Sequence, residues 1–148
     1  MDKEKEREPR PKVVLVHRAL IQNNNLILLV QRSSTDRYMP GAWELPGGKL
    51  ESNKDIWQTL HNEVFEETKL TIKPTHPLAY VDGYIIDKGP YQGLPYVILI
   101  SICQVENSTE VILSEEHDSF QWITIDQALK LNLKPEERKA LPQLAKLI

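Results

Sequence analysis

The chain has 148 residues, a length that fits one domain with a sizeable core. Hydrophobic residues make up 41% of it and charged residues 26%, which is ordinary for a soluble globular protein. The net charge of -3 argues against broad binding to nucleic acids or membrane surfaces, because such partners select basic patches.

The first segment, Met1–Lys12, alternates acids and bases and contains two prolines. This composition predicts a mobile charged tail ahead of a single domain that spans residues 13–148. The segment is charged rather than apolar, so no secretory signal is expected, and no apolar run is long enough for a membrane span. We therefore expect a cytoplasmic protein, with a homodimer left open.

Two strands joined by a tight turn are predicted next. β-Branched and aliphatic residues run from Val13 to Ile21 and from Leu26 to Gln31, and three asparagines between them favour a hairpin. Arg32 and Arg37 follow the second strand. Two guanidinium groups can clamp phosphate oxygens, although surface arginines without such a role are at least as common.

A short strand from Trp43 to Leu45 is predicted to lead into a glycine turn. Gly47 and Gly48 permit a positive φ and leave backbone atoms unobstructed, so a metal or a phosphate can approach them closely. Most glycine pairs are only turns, and this pair alone does not define a site.

A helix is predicted after the turn. Ser52 and Asp55 fit a capping box, which would start the helix near Asn53. At 100° per residue one face of this helix is apolar. The apolar stripe consists of Ile56, Trp57, Leu60 and Val64.

Acidic residues lie along one edge of this stripe. Glu63 and Glu67 border it, and Glu66 lies one step further round. Carboxylates in that position repel one another and lose water, a cost that a divalent cation with a preference for oxygen would offset. The alternative is an ordinary amphipathic helix whose long glutamates reach water from its edge.

Further strands are predicted after the helix. Extended segments are expected over Leu70–Ile72 and Leu78–Ile86, with prolines between them. Tyr96–Val105 is the most continuous apolar run, which predicts a central strand buried on both faces and places Cys103 in the core rather than at a reactive site. Four tyrosines could stack on a nucleobase or pack in the core. They are Tyr80, Tyr84, Tyr91 and Tyr96.

An acidic loop, Leu113–Asp118, precedes a predicted short strand over Phe120–Ile125. Such loops are usually only solvated, and we interpret His117 as structural. Helices are expected over Asp126–Leu131, opened by Thr124 or Asp126, and over Pro135–Leu147. Pro142 is expected to bend or divide the last helix.

The stretch from Pro46 to Leu70 resembles the Nudix box of the Nudix hydrolases. That pattern runs Gly, five residues, Glu, seven residues, Arg-Glu, a hydrophobic residue, any residue, Glu-Glu, any residue, Gly and a hydrophobic residue. Counted from Gly48, the chain agrees at Glu63, Val64, Glu66, Glu67 and Leu70, and it departs at Lys54, Asn62 and Lys69. The context MPGAWELPGGKLE, Met39–Glu51, is also similar to the family, and a looser similarity extends along most of the chain.

The resemblance implies a Nudix-type α/β/α sandwich with a mixed β-sheet. It also implies hydrolysis of a diphosphate bond in a nucleoside diphosphate linked to another group, first of all a nucleoside triphosphate cleaved to the monophosphate. Mg²⁺ or Mn²⁺ would be the cofactor. The implied metal ligands are Gly48, Glu63, Glu66 and Glu67, and the implied catalytic residues are Glu63, Glu66, Glu67 and Glu116. The candidate substrate-binding residues are Arg32, Arg37 and Trp43.

The departures from the pattern support an alternative. Lys54 and Asn62 stand where the family has the Glu and Arg that support the loop and helix, so a nucleotide-binding or regulatory protein with weak or lost catalysis is the rival hypothesis. Lys69 replaces the Gly that ends the helix. A lysine suits the C-terminal end of the helix dipole, but a left-handed cap costs more without glycine. Glu44 and Glu51 are candidate outer ligands, and Glu115 is a second candidate acid in the loop.

Overall fold

The computed structural model describes residues 11–148, so most of the predicted tail, Met1–Lys12, lies outside the described residues. The described chain forms one mixed sheet with helices on both faces. The strands are β1 (Val14–Asn23), β2 (Leu26–Arg32), β3 (Trp43–Glu44), β4 (Gly47–Lys49), β5 (Ile72–Ile85), β6 (Pro95–Val105) and β7 (His117–Ile123). The helices are α1 (Ile56–Thr68), α2 (Ile125–Ala128) and α3 (Pro135–Leu144), followed by a 3-10 helix at Ala145–Leu147.

The sheet is mixed because β1 pairs in parallel with β6 and antiparallel with β2 and β4. Its main order is β3-β2-β1-β6-β5, and β7 pairs with β2. β6 has β1 on one side and β5 on the other, which confirms the predicted central strand, and Cys103 within it is fully buried. Burial raises the pKa of the Cys103 thiol to about 12, so the thiol is a packing group.

The hairpin between β1 and β2 is confirmed. Gln22 pairs with Ile27 and Asn23 with Leu26, and Asn24 in the turn has a φ of 55°. Asparagine tolerates this left-handed conformation better than most residues, which explains why the chain turns there.

The two faces of the sheet bury different clusters. Leu20 and Ile100 point to the face covered by α2 and α3, whereas Ile21 and Leu28 point to the face covered by α1. This alternation of side chains along β1 fills a core on both sides of the sheet. The predicted α/β/α sandwich with a mixed sheet is therefore confirmed.

The first helix begins later than predicted, at Ile56 instead of near Asn53. The N-cap is Asp55, whose carboxylate accepts a hydrogen bond from the Gln58 backbone at 2.9 Å while the Gln58 side chain accepts one from the Asp55 backbone. Asn53 has a φ of 63°, which is incompatible with a right-handed first turn, so the Ser52 pattern does not cap the helix.

The apolar stripe of α1 is also different from the prediction. Leu60 and Val64 are fully buried, but Trp57 is 36% exposed and its ring packs edge-on against His17, with ring centroids 5.2 Å apart. The buried face of α1 also includes the polar residues Thr59 and Glu67, which lie next to Leu60 and Val64.

β5 is one strand rather than the two predicted segments. Its pairing with β6 shifts register between Pro74 and His76 and again between His76 and Tyr80. Proline lacks the N–H that a central strand needs, but an edge strand tolerates it at such irregularities, and β5 is the edge of the sheet.

The C-terminal elements need three corrections. β7 begins at His117, earlier than predicted. α2 ends at Ala128 and is shorter than expected, although Thr124 is confirmed as its N-cap. α3 continues through Pro142 without division and becomes a 3-10 helix only after Leu144, so only the alternative of a bend at Pro142 stays a prediction.

Candidate metal and active site

Glu67 on α1 is held directly against the glycine turn. Its side chain is buried, and its carboxylate oxygens accept hydrogen bonds from the Gly47 backbone N–H at 3.2 and 3.4 Å. Gly47 has a φ of 142°, and a Cβ there would lie 2.3 Å from the carbonyl oxygen of His17. Only glycine fits this close approach of β4 to β1, so the turn and the helix acid share one fixed geometry.

Glu63 lies one helical turn earlier and packs on Gly48. A Cβ at Gly48 would lie 2.9 Å from Glu63 Cδ, so the carboxyl group covers the backbone of the turn. Burial and the nearby acids Glu51 and Glu66 raise the pKa of Glu63 to about 7, and burial raises the pKa of Glu67 well above its usual range. The Arg18 guanidinium and the Gly47 N–H lower the pKa of Glu67 but do not offset its burial, so two neighbouring acids with raised pKa values meet at this site.

The acidic loop ahead of β7 completes this group. Glu67, Glu116 and His117 each bring one potential ligand atom to within 4.8 Å of the others. Glu116 is exposed to solvent, whereas His117 is buried. The structure therefore places the loop acid Glu116 beside the helix acid Glu67, while Glu66 is exposed and does not belong to this group of three.

His117 is anchored from its other side. Its Nε2 makes a 2.8 Å hydrogen bond with Glu44 Oε2, and its Nδ1 is buried without a hydrogen-bond partner within residues 11–148. The bond to Glu44 fixes the ring orientation. The interpretation of His117 as structural stays a prediction, because the same ring also belongs to the group of three potential ligands.

Glu44 is the centre of a buried charge network. Its carboxylate contacts Arg18 at 3.5 Å, Arg32 at 3.3 Å, His117 at 2.8 Å and Lys134 at 3.2 Å. Burial alone would raise the pKa of Glu44, but these four partners lower it overall. The carboxylate is thus fully engaged by side chains of the protein.

Arg18 belongs to this network, and the sequence analysis did not single it out. It lies in the middle of β1 and is buried, donates hydrogen bonds to the carbonyls of Leu45 at 2.9 Å and Gly47 at 3.4 Å, and has its Nε 3.5 Å from Glu137 Oε1. Burial would lower the pKa of Arg18, but Glu44, Glu137 and Glu67 raise it. The sequence signal that could have identified Arg18 is a single arginine within the otherwise mostly apolar strand β1.

The predicted substrate-binding residues have unequal access to a ligand. Arg32 is already paired with Glu44 and, at 2.8 Å, with Asp36. Trp43 is 7% exposed and packs in the core. Arg37 is exposed. Of these three side chains, that of Arg37 is the most open to an incoming phosphate.

Two of the four tyrosines that could stack on a nucleobase instead stack on each other. Tyr84 and Tyr96 stack on each other with centroids 4.9 Å apart, and the Tyr96 hydroxyl donates to Glu136 at 2.9 Å. Lys49 lies 4.7 Å from the centre of the Tyr91 ring. Tyr84 and Tyr91 remain exposed at 49% and 45%, so their outer faces are the available ones.

The three departures from the box have different local structures. Lys54 Nζ lies 2.9 Å from Glu51 Oε2, which gives this lysine a new partner. Lys69 has φ 63° and ψ 14° and caps α1 in the left-handed conformation, with its N–H donating to the Phe65 carbonyl at 2.8 Å. Asn62 is half-buried.

Within the described part of the chain, no helix is long and apolar enough to cross a membrane.

Comparison with known proteins assigns the family. A model of the NUDIX domain matches residues 10–144. The nucleoside triphosphatase NudI of Enterobacter sp. (strain 638) is 29% identical over 129 residues, which cover 84% of this chain and 91% of that protein. NudI of Klebsiella pneumoniae (strain 342) is 28% identical with the same coverage.

Solved structures agree with the fold. The MutT protein from Methanosarcina mazei Go1 superposes with a TM-score of 0.73 at 23% identity and covers 95% of this chain and 98% of its own. A C. elegans Ap4A hydrolase in a binary complex gives a TM-score of 0.72 at 23% identity, with coverage of 90% and 96%. Since the domain model spans nearly the whole sequence, this chain belongs to the Nudix hydrolase family.

Proposed function

We propose that this protein is a divalent-cation-dependent pyrophosphohydrolase that cleaves a nucleoside triphosphate to the nucleoside monophosphate and pyrophosphate. The observation that carries the proposal is the meeting of Glu67, Glu116 and His117, whose three potential ligand atoms lie within 4.8 Å of one another, with Glu67 held by the backbone of Gly47. The name of the NudI relatives, nucleoside triphosphatase, supports the substrate class.

The donor set fits a hard divalent cation. Burial raises the pKa of Glu67 more than the nearby Arg18 lowers it, and burial together with nearby acids raises the pKa of Glu63 to about 7, so a bound cation would favour the ionised forms of both carboxyl groups. Mg²⁺ and Mn²⁺ prefer oxygen ligands, and we assign the site to Glu63, Glu66, Glu67 and the backbone of Gly48. When bound, the cation would neutralise phosphate oxygens and acidify a water molecule.

The protein's own groups supply proton transfer and positioning. We assign proton acceptance from the attacking water to Glu116, because within the group of three it alone is exposed to solvent. Arg37 is assigned to the phosphate chain, since its guanidinium is exposed. Arg32 and Trp43 would act on the substrate indirectly, by holding Glu44 and β3 in place.

A second candidate is a nucleotide-binding protein of the same fold with weak or lost catalysis. The specific observation that favours it is the ion pair between Lys54 and Glu51, which introduces an ammonium group where the family pattern has a carboxylate. A positive charge at that edge competes with a metal ion for the same acids.

One set of assays separates the two candidates. The purified protein is incubated with Mg²⁺ or Mn²⁺ and each nucleoside triphosphate, and pyrophosphate and monophosphate are measured. Glu67→Gln is expected to reduce turnover at least about a hundredfold through loss of a metal ligand. Glu110→Gln, which removes an exposed acid in the loop after β6, is the matched control and should retain turnover.

The opposite results are equally clear. An inert wild type that still binds nucleotide, with turnover only in Lys54→Glu combined with Asn62→Arg, would select the binding protein. Release of phosphate and a nucleoside diphosphate instead of pyrophosphate would refute the proposed bond specificity.

A further inference from the structure

Lys54 and Glu51 form an ion pair at the edge of the candidate metal site. Both residues lie within the short loop between β4 and α1, and Lys54 Nζ lies 2.9 Å from Glu51 Oε2. The side chains are 36% and 32% exposed, so this pair sits where the site opens to water. The backbone also links them, because the Lys54 N–H donates to the Glu51 carbonyl at 3.3 Å.

Glu51 connects this lysine to the metal ligands. Its backbone N–H donates to the hydroxyl of Thr59 on α1 at 3.3 Å, which fixes the loop on the helix. Its second carboxylate oxygen, Oε1, is buried and has no hydrogen-bond partner among residues 11–148. The loop that carries Glu51 and Lys54 follows directly on β4, where a Cβ on Gly48 would lie 2.9 Å from Glu63 Cδ, so the loop leaves the glycine turn beside the helix acid Glu63.

We propose that Lys54 is a positioning residue that acts as a built-in counter-cation for Glu51 and thereby weakens the affinity of the acidic site for divalent cations. By holding Glu51 Oε2, the ammonium group withholds this acid from a metal ion that binds at Glu63. The inference deepens the proposed function and rests on it for the location of the metal. It implies that this protein needs a higher concentration of divalent cation than a version of itself without the ammonium group.

The size of the effect follows from electrostatics. A unit charge that acts on a divalent ion across roughly 6 Å of water-like surroundings changes its affinity by about tenfold. Removal of the charge of Lys54, with Glu51 retained, should therefore tighten binding by about that factor at low salt, and less at high salt because exposed charges are screened.

The test is titration of the metal-free protein with Mn²⁺, with free Mn²⁺ measured by electron paramagnetic resonance. Lys54→Met is expected to lower the Mn²⁺ dissociation constant about tenfold relative to the wild type. Lys73→Met, an exposed lysine on β5, makes the same change in net charge and should leave the constant within about twofold. Circular dichroism checks that each variant is folded.

A second pair of variants asks whether Glu51 transmits the effect. Addition of Glu51→Gln to Lys54→Met should return the constant to near the wild-type value, whereas Glu110→Gln in the same background should not. Unchanged affinity in Lys54→Met, or a gain that survives Glu51→Gln, would overturn the inference. A wrong location of the metal site would give a different result. In that case Glu67→Gln would bind Mn²⁺ as tightly as the wild type does.

Discussion

The backbone N–H of Gly47 donates a hydrogen bond to Glu67 Oε2 across 3.2 Å, so the glycine turn and the acidic helix are joined at the candidate metal site. The carboxylate is buried, and this bond is what orients it. Any change that moves Gly47 away from β1 will also move Glu67. The stability of the fold and the geometry of the site therefore depend on the same backbone contact.

Gly47→Ala should be strongly destabilising. The new Cβ would lie 2.3 Å from the His17 carbonyl oxygen, and φ is 142°, so we expect a loss of about 3 kcal/mol or more in the free energy of unfolding. Urea denaturation measures it. Gly89→Ala is the control, since its φ is 90° but a Cβ would meet nothing within 4 Å, and it should lose only about 1 kcal/mol. Equal losses would show that the contact with β1 is unimportant.

The metal-free protein should lose stability as the pH rises from about 4.5 to about 7, the window between the ordinary and the raised pKa of Glu63. The folded state holds a proton on Glu63 that the unfolded state releases, so stability is present below this window and is lost through it. Because Glu63 is only half-buried, we discount the effect to about 1 kcal/mol.

Urea denaturation in the presence of a chelator at pH 5 and 7.5 measures this loss. Glu63→Gln should show a smaller loss than the wild type, since its side chain does not titrate. Saturating Mn²⁺ should stabilise the wild type most at the higher pH, where the ionised ligands are needed. An identical pH dependence in Glu63→Gln would contradict the prediction.

Glu44→Gln should cost about 3–5 kcal/mol, because it removes the negative centre of a buried network and leaves Arg18 and Lys134 without their shared partner. The matched control is Asp82→Asn, which breaks the 2.7 Å ion pair with Lys139 on the surface. An exposed pair of that kind contributes little to stability, so Asp82→Asn should cost far less than Glu44→Gln. Chemical denaturation of both variants is the measurement, and similar losses would show that burial adds nothing to the network.

Much of the fold follows from local patterns in the sequence. The asparagine turn after β1, the apolar run of β6 and the acidic edge of α1 are visible because each depends on residues that are close in the chain. The start of α1 is less certain from the sequence, since both Ser52 and Asp55 fit a cap. The left-handed conformation of Asn53 decides between them, and that conformation is set by the loop as a whole.

The charge network could not be predicted in this way. Arg18, Glu44, Lys134 and Glu137 come from distant parts of the chain and meet only when β1, β3 and α3 pack together. A charged residue is stable in the core only when its partner is also there, so burial of each depends on all the others. The same holds for Glu116, whose place beside Glu67 results from the pairing of β7 with β2.

Lys69→Gly should stabilise the protein by about 0.5–1 kcal/mol. Lys69 ends α1 with a φ of 63°, a conformation that costs free energy for a residue with a Cβ and almost none for glycine. The gain is partly offset because glycine has more freedom in the unfolded chain and because the Lys69 ammonium leaves the Phe65 ring, 5.1 Å away.

Thermal unfolding and urea denaturation both report this gain. Lys73→Gly is the control, because it places glycine at an exposed position in β5 where no left-handed φ is found, and it should destabilise the protein. Mn²⁺ affinity should be nearly the same in Lys69→Gly and the wild type, since the Glu67 carboxylate stays held by the Gly47 N–H, which the substitution does not touch. Loss of stability in Lys69→Gly would mean that the lysine side chain contributes more to the end of α1 than its backbone strain costs.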